Sequence, residues 1–432
     1  MKGSDSPARS GNDFLRRPHR SPQPPRSPDA YSICTLHARI DDWVTVEATS
    51  GSRLSTELWS ALRQQPAHAS GRAFLTVIFR AGVGIVWCRT TDARRVDEMS
   101  CDRARIGGPQ SPDQAIEGAT MPLDRILRRL IAWQHADGAP TPLRAMSIEQ
   151  ARERYRASAL RPRRQDDATV TVVDEKIDSS DNTSIRSRVY TPQDHTDRVV
   201  TYLHGGGWVT GDLDTHDLAC RVLAASLGAV VVSIDYRRAP EFPYPTPLHD
   251  AIAAARWTSR MYPEHHHVLA GDSAGAHLAL GVALDARADG DPRITALLLM
   301  YPPVDPTLRI AAAGPHTDGY LLSIDDLAWC YAQYLPDPEH RNDPAVDLLH
   351  ADLTGLPPTV VATAEYDPLQ REGELLVEKL HTGGVPVRHV PGPGLVHGAF
   401  LIQDIVPAAA TNAQQVIREL DALLTSTRQP PA

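Results

Sequence analysis

What this sequence has little of narrows its function first. Cysteine is scarce: five residues in 432 (Cys34, Cys88, Cys101, Cys220 and Cys330), odd in number and without C-x-x-C spacing. That pattern excludes a disulfide framework and a cysteine-built zinc site, and fits reduced thiols in a cytoplasmic protein. No apolar run reaches the ~18 residues a membrane helix requires. The best candidate, FLTVIFRAGVGIVW, is short and broken by Arg80. Positive charge is also short. The formal net charge of −9 speaks against a nucleic-acid partner, which would call for a basic face. Met1 is followed by a polar, Pro- and Arg-rich segment with no apolar stretch, so no signal peptide is expected.

The chain has two unlike parts. SPARSGNDFLRRPHRSPQPPRSPDA, near the start, is Pro, Ser and Arg in low-complexity order and cannot bury enough surface to fold. Residues 29–120 add short apolar runs without a sustained period. The expectation for 1–120 is an extension that is disordered or foreign to the natural protein, with Met121 a candidate natural start. From there the signals sharpen. Leu123, Ile126, Leu127, Leu130 and Ile131 mark one helix face, closed by Gly138 and Pro140. Ser147 with Gln150 three residues on is a capping box for a second helix.

Beyond these, ATVTVVDEKI and IRSRVYTP read as an antiparallel strand pair. Then apolar, β-branched runs alternate with helical ones: VVTYLH, AVVVSIDY, HVLAGDS, ITALLLMYP, PTVVATAEYD and VPVRHVPG are the strands. This predicts a mostly parallel sheet with helices on both faces. Ligands bind such sheets beyond the carboxyl ends of the strands, so the residues just after each strand are the ones to inspect. Those are His204–Trp208, Ser273, Tyr301–Asp305, Asp367 and the loop holding His397.

GDSAG, Gly271–Gly275, is a G-x-S-x-G turn between an apolar strand and a long helix, which lifts the Ser273 hydroxyl above the sheet. Alone the pattern is weak; its strand-turn-helix setting gives it meaning. Attack of serine on a carbonyl develops negative charge on oxygen, and each backbone N–H aimed there is worth ~3–4 kcal/mol. Ala274, after the serine, supplies one such group. HGGGW supplies the rest, since Gly205, Gly206 and Gly207 leave backbone bare where side chains would block the carbonyl. A side chain at Gly206 is therefore expected to cost turnover and little stability. Chain order then asks for an acid and a histidine, met by Asp367 in TAEYDPL and His397 in GLVHGAF. Glu365 is an understudy whose place within a strand turns it elsewhere.

Together HGGGW, GDSAG, DYRRAPEFPYP, YPPVD, EYDPL and VHGAF resemble the hormone-sensitive-lipase-like branch of the α/β-hydrolases. YLHGGGWVTGDLDTHD, GDSAGAHLAL and TAEYDPL are most similar to the bacterial acetyl esterases. The resemblance covers residues 121 to about 424. It implies an α/β-hydrolase domain over 166–432 and cap helices over 121–165, with more of the cap around 306–345. It implies catalytic Ser273, Asp367 and His397, an oxyanion hole from Gly205, Gly206, Gly207 and Ala274, and hydrolysis of short-acyl (acetyl-type) esters through an acyl-enzyme. It implies a small-molecule ester as the partner, and neither cofactor nor metal. Ala276 stands where the family commonly has a further glycine, as acetyl esterases allow. A lipase or amide hydrolase would use the same machinery. A ligand-binding relative of the plant gibberellin-receptor kind lacks the catalytic histidine, whereas His397 is present here.

Other polar clusters have plainer readings. Adjacent side chains in EHHHV diverge, so His265–His267 form a loop rather than a shared metal site. In GDLDTHD, Asp214 or Thr215 is expected to cap the next helix. His277 packs, His204 fixes the glycine loop, Tyr301 and Asp305 are structural, and Asp272 has no assigned chemistry.

Overall fold

The computed structural model describes residues 122–136, 140–159, 169–291 and 293–426, and the backbone of three strands nearer the N-terminus. Those strands, β1 (Ser32–Ala38), β2 (Ala73–Phe79) and β3 (Gly82–Val86), pair antiparallel in that order. They belong to a compact unit of residues 1–100, and residues 101–432 form a second. The remaining expectations for 1–120, and the closing role of Gly138, lie outside the described residues.

In the second unit, α1 (Arg125–Gln134) opens at Asp124, whose carboxylate accepts from the N–H groups of Ile126 (2.7 Å) and Leu127 (3.2 Å). Its apolar face buries Leu127 and Ile131. Helix α2 (Ile148–Ala159) starts with the expected capping box: Ser147 N–H donates to Gln150 Oε1 (2.9 Å) and Gln150 N–H to Ser147 Oγ (3.2 Å).

Eight strands follow: β4 (Val170–Asp178), β5 (Ser184–Pro192), β6 (Arg198–Leu203), β7 (Val230–Asp235), β8 (His266–Asp272), β9 (Ile294–Met300), β10 (Thr359–Tyr366) and β11 (Val387–Val396). They form one sheet ordered β11-β10-β9-β8-β6-β7-β5-β4. The pairings from β7 to β11 are parallel; β4 and β5 add an antiparallel edge. Period-two alternation divides the apolar residues between two cores. On β6, Val199 and Leu203 face one core, and Val200 and Tyr202 the other. The first core packs α4 (Thr246–Met261) and α5 (Ala274–Ala288); the second packs α3 (Asp217–Leu227) and α9 (Pro407–Ser426). Fully burying each Val or Leu stabilises by about 1.5–3 kcal/mol, so a continuous apolar strand is favourable only with both faces covered.

The segment 306–345 holds two helices that its sequence did not mark: α6 (Arg309–Ala313) and α7 (Ile324–Tyr334), the latter capped by Ser323. Helix α8 (Gln370–Thr382) follows β10. Two boundaries differ from expectation. Helix α3 begins at Asp217, and its cap, His216, makes no side-chain cap bond. Asp214 and Thr215 are not caps, because their N–H groups are held by Asp212 Oδ1 (3.1 and 2.9 Å) in a turn ahead of the helix. Strand β11 continues through Pro391 and Pro393 to Val396, which an edge strand tolerates because one row of its N–H groups needs no partner.

Candidate active site

The carboxyl ends of β6, β8, β10 and β11 bring four loops together. β6 and β8 are neighbours with Leu203 opposite Gly271, so the HGGGW loop and Ser273 leave adjacent strands. Ser273 sits at φ +51°, ψ −124°, a strained conformation for a residue with a side chain. The turn is tight: a Cβ on Gly271 would strike the Gly275 backbone, and one on Gly275 the Leu203 backbone. Ser273 Oγ lies 2.9 Å from His397 Nε2, and His397 Nδ1 lies 2.7 Å from Asp367 Oδ2. Asp367 is buried, and its other oxygen accepts from Leu369 N–H at 2.9 Å. With Nδ1 donating to Asp367, Nε2 is left as the acceptor facing the serine hydroxyl. The Tyr301 and His397 rings pack edge-to-face, with centroids 4.8 Å apart.

Anchored carbonyls set the directions of the glycine N–H groups. Gly205 O accepts from His204 Nδ1 (2.8 Å). Gly206 O accepts from Val209 N–H (3.1 Å), Thr210 N–H (2.8 Å) and Thr210 Oγ1 (2.9 Å). In a trans peptide the C=O and the following N–H point in opposite directions. Holding these two carbonyls therefore turns the N–H groups of Gly206 and Gly207 the other way. Among the described residues, none accepts a hydrogen bond from the N–H of Gly206, Gly207 or Ala274. Positive φ at Gly206 (+112°) and Gly207 (+60°) explains the residue type there.

Gly205 corrects the expectation of three equivalent donors. Its N–H already donates to Asp272 Oδ1 (3.0 Å) and His216 Nε2 (3.2 Å). Asp272 is thus a site residue that sequence reasoning missed. Burial works against its charge, but the neighbouring His216 ring and the bonds from Tyr202 OH and the Gly205 N–H hold its carboxyl below the ordinary range. Tyr202 OH donates to it at 2.7 Å. The available signal was a carboxylate at the free position of the elbow, on the strand beside the glycine loop. His204 fixes that loop as expected, stacked on Tyr236 at 4.2 Å. Burial pushes its pKa down to about 3, so it is neutral at ordinary pH.

The floor behind the glycines is filled. Trp208, also at positive φ (+61°), is fully buried and lies flat on Tyr334 at 4.4 Å. A Cβ on Gly207 would meet Cys330 Sγ of α7.

The remaining candidates are placed elsewhere. His277 Nε2 lies 3.2 Å from Val346 O, and burial lowers its pKa to about 4. His267 is buried between Thr201 Oγ1 and Ser259 Oγ, each at 2.8 Å, while His265 packs against Tyr262. Glu365 turns to Gly394 N–H (2.7 Å). Asp305 holds Thr307 and Ile310 in the following turn. Among the described residues, no group of three or more His, Cys, Asp or Glu side chains is placed to hold a metal ion.

This elbow, triad geometry and glycine loop on an eight-stranded sheet match a known family. The family model for the alpha/beta hydrolase fold matches residues 200–401. The carboxylesterase NlhH of Mycobacterium tuberculosis is 38% identical over 239 residues, covering 53% of this chain and 75% of that protein. The ethyl acetate hydrolase of Pseudomonas putida is 30% identical over 305 residues (68% and 95%). The acetyl esterase of Salmonella schwarzengrund is 35% identical over 242 residues (54% and 74%). Among solved structures, a hyperthermophilic esterase from Pyrobaculum calidifontis superposes with TM-score 0.63 at 36% identity, covering 70% of this chain and 99% of that one. The chain belongs to the α/β-hydrolase family, in its hormone-sensitive-lipase-like branch, and is a carboxylic ester hydrolase.

Proposed function

We propose that Ser273, His397 and Asp367 are the catalytic residues, and that the oxyanion hole is formed by the N–H groups of Gly206, Gly207 and Ala274. The observation that carries this is the unbroken chain from Asp367 through His397 to Ser273, at 2.7 and 2.9 Å, beside three N–H groups without an internal acceptor. Ser273 Oγ attacks the ester carbonyl as His397 Nε2 takes its proton. The oxyanion is held by the three N–H groups. Its collapse expels the alcohol, which takes the proton back from His397. Asp367 keeps the tautomer and stabilises the imidazolium. Water, activated by the same histidine, then cleaves the acyl-enzyme and frees Ser273. The scheme closes without a metal or cofactor, and the base must be neutral, so turnover falls in acid.

The preferred acyl group in this proposal is short. The relatives named for acetyl esters and ethyl acetate support it, as does the filled space behind the glycine loop at Trp208, Tyr334 and Cys330. No helix among the described residues is long and apolar enough to cross a membrane. A cytoplasmic setting is part of the same proposal, supported by the buried free thiols of Cys220 and Cys330.

The test is a p-nitrophenyl ester series from acetate to decanoate, with a fluorophosphonate probe. Wild type should favour acetate to butyrate and take up the probe; Ser273→Ala should do neither while remaining folded. Labelling retained in Ser273→Ala, or a preference for long chains, would overturn the reading.

A further inference from the structure

Outside the triad, helix α2 of the cap is bonded to the residues that follow the glycine loop. Helix α2 carries Arg152 and Arg156, one turn apart and so on one face. Arg152 Nε donates to Val209 O (2.9 Å) and its Nη2 to Ala239 O (3.1 Å). The same guanidinium pairs with both oxygens of Glu241, at 2.8 and 2.7 Å. Val209 belongs to the turn whose N–H groups hold Gly206 O. Arg156 bonds Asp212 and, through Nη2, Asp214 Oδ2 (3.1 Å).

From Asp212 the contacts run inward. Its Oδ1 holds Thr215 N–H (2.9 Å), Thr215 Oγ1 lies 3.0 Å from His216 Nδ1, and His216 Nε2 accepts from Gly205 N–H (3.2 Å). Between the two arginines, the Tyr155 ring stacks beside His216, with centroids 6.3 Å apart and planes 18° apart. Both ends of the glycine loop, Gly205 and the Val209 turn, are therefore tied to one cap helix.

We infer that α2 is a strap that sets the oxyanion loop, with Arg152 and Arg156 as positioning residues for the N–H groups of Gly206 and Gly207. This rests on the oxyanion role proposed above. The hole lies on a loop between β6 and α3, and a loop can shift by tenths of an ångström where a strand cannot. Planar guanidinium groups bonded to a carbonyl and to carboxylates fix direction as well as distance. Losing the strap leaves Ser273, His397 and Asp367 untouched, because none of them is bonded to α2.

The prediction is a loss confined to the transition state. Removing a whole oxyanion donor costs ~100–1000-fold in kcat; a loosened loop should cost about 10-fold. For p-nitrophenyl acetate, Arg156→Met should lower kcat by about 10-fold and leave KM within about twofold. Its affinity for an alkyl trifluoromethyl ketone, which forms a tetrahedral adduct on serine, should fall in the same proportion as kcat/KM. Arg156→Lys should recover part of the loss, since one amine reaches one carboxylate where the guanidinium reaches two. If Arg156→Met does not fold, Arg152→Lys serves instead: it keeps a charge beside Glu241 but loses the fixed bond to Val209 O, and kcat should fall several-fold at constant KM. Loss in KM alone, unchanged ketone affinity, or kcat within twofold of wild type would overturn the strap. If wild type turns over and Gly206→Ala loses turnover while the arginine variants do not, the strap alone fails. A wild type without turnover overturns the proposed function and this inference with it.

Discussion

Replacing Gly206 by alanine puts the glycine loop to its most direct test. The residue has φ +112°, a region that a residue with a Cβ enters at a cost of about 1–3 kcal/mol. The added Cβ would also lie 2.5 Å from Thr210 O and 2.7 Å from Thr210 Oγ1. Backbone cannot swing aside as a side chain can, so relieving the overlap adds about 1–3 kcal/mol. The two costs together are about 2–6 kcal/mol; at about 2 °C per kcal/mol for a domain this large, the melting temperature should fall by roughly 4–12 °C. The sequence-based expectation of little stability change is thus reversed: the glycine is required by its conformation and by Thr210, as well as by the substrate. The same relief unhooks Gly206 O from Thr210 and lets the following peptide rotate, taking the Gly207 N–H off its line. We expect kcat for p-nitrophenyl acetate to fall ~100-fold or more, measured well below the lowered melting temperature. Gly384→Ala is the control. It too has positive φ (+75°), but its Cβ would meet nothing within 4 Å, and it lies between α8 and β11. It should lose about 1 kcal/mol or more of stability and no kcat. A Gly206→Ala enzyme with near-normal kcat would refute the oxyanion assignment. Equal kcat losses in both variants would show that the effect is one of stability alone.

Acid should destabilise the fold through its buried neutral histidines. His204 and His267 are held down to about 3 and His277 to about 4, chiefly by burial. The unfolded chain, with histidines near ~6.5, takes up protons that the native state refuses, so each contributes stability above ~6.5 that drains away as pH falls, about 1.4 kcal/mol per pH unit. Glu372, raised to about 8 by burial, acts in the opposite sense: its contribution is complete below ~4.5 and is lost as pH rises through 8. Three histidines outweigh one glutamate, so melting temperature should drop steeply from pH 6.5 to 5, and His277→Gln should make that drop shallower; an unchanged slope would remove His277 from the account. We also propose that residues 121–432 carry the activity. A chain beginning at Met121 should fold and match the full chain in kcat/KM, and an inactive or insoluble product would make residues 1–120 an integral part of the enzyme.

The motifs were legible because each is local. The strained serine needs small neighbours within two residues, the glycine loop follows an apolar strand, and acid and histidine end two later strands. The sheet was legible because strands buried on both faces are mostly apolar, with only a few hydrogen-bonded polar residues such as Thr201 and His267 among them. What escaped was long-range. Asp272 gains its meaning from Gly205, 67 residues earlier, and nothing in G-D-S-A-G says that the second position reaches a neighbouring strand. The loss of Gly205 as a free donor follows from the same bond. Arg152 and Arg156 look like the solvated face of a polar helix until Val209 and Asp212 are found beneath them. The helices in 306–345 escaped because each is short and offers few apolar positions; α7 buries Cys330 and Tyr334 against the glycine loop rather than the sheet, and α6 buries Ala311 beside Leu327 and Leu369.

The pairing of β6 with β8 has a kinetic meaning of its own. Leu203 stands opposite Gly271, so the proposed donors and the proposed nucleophile follow strands about 4.8 Å apart. Sliding one strand by a single residue would displace the two by about 3.3 Å and send their side chains to opposite faces. No partly correct alignment can hydrolyse an ester. Turnover is therefore an all-or-none gauge of the central pairing, and during refolding it should appear only when that pairing locks, later than any signal from helices that form on their own.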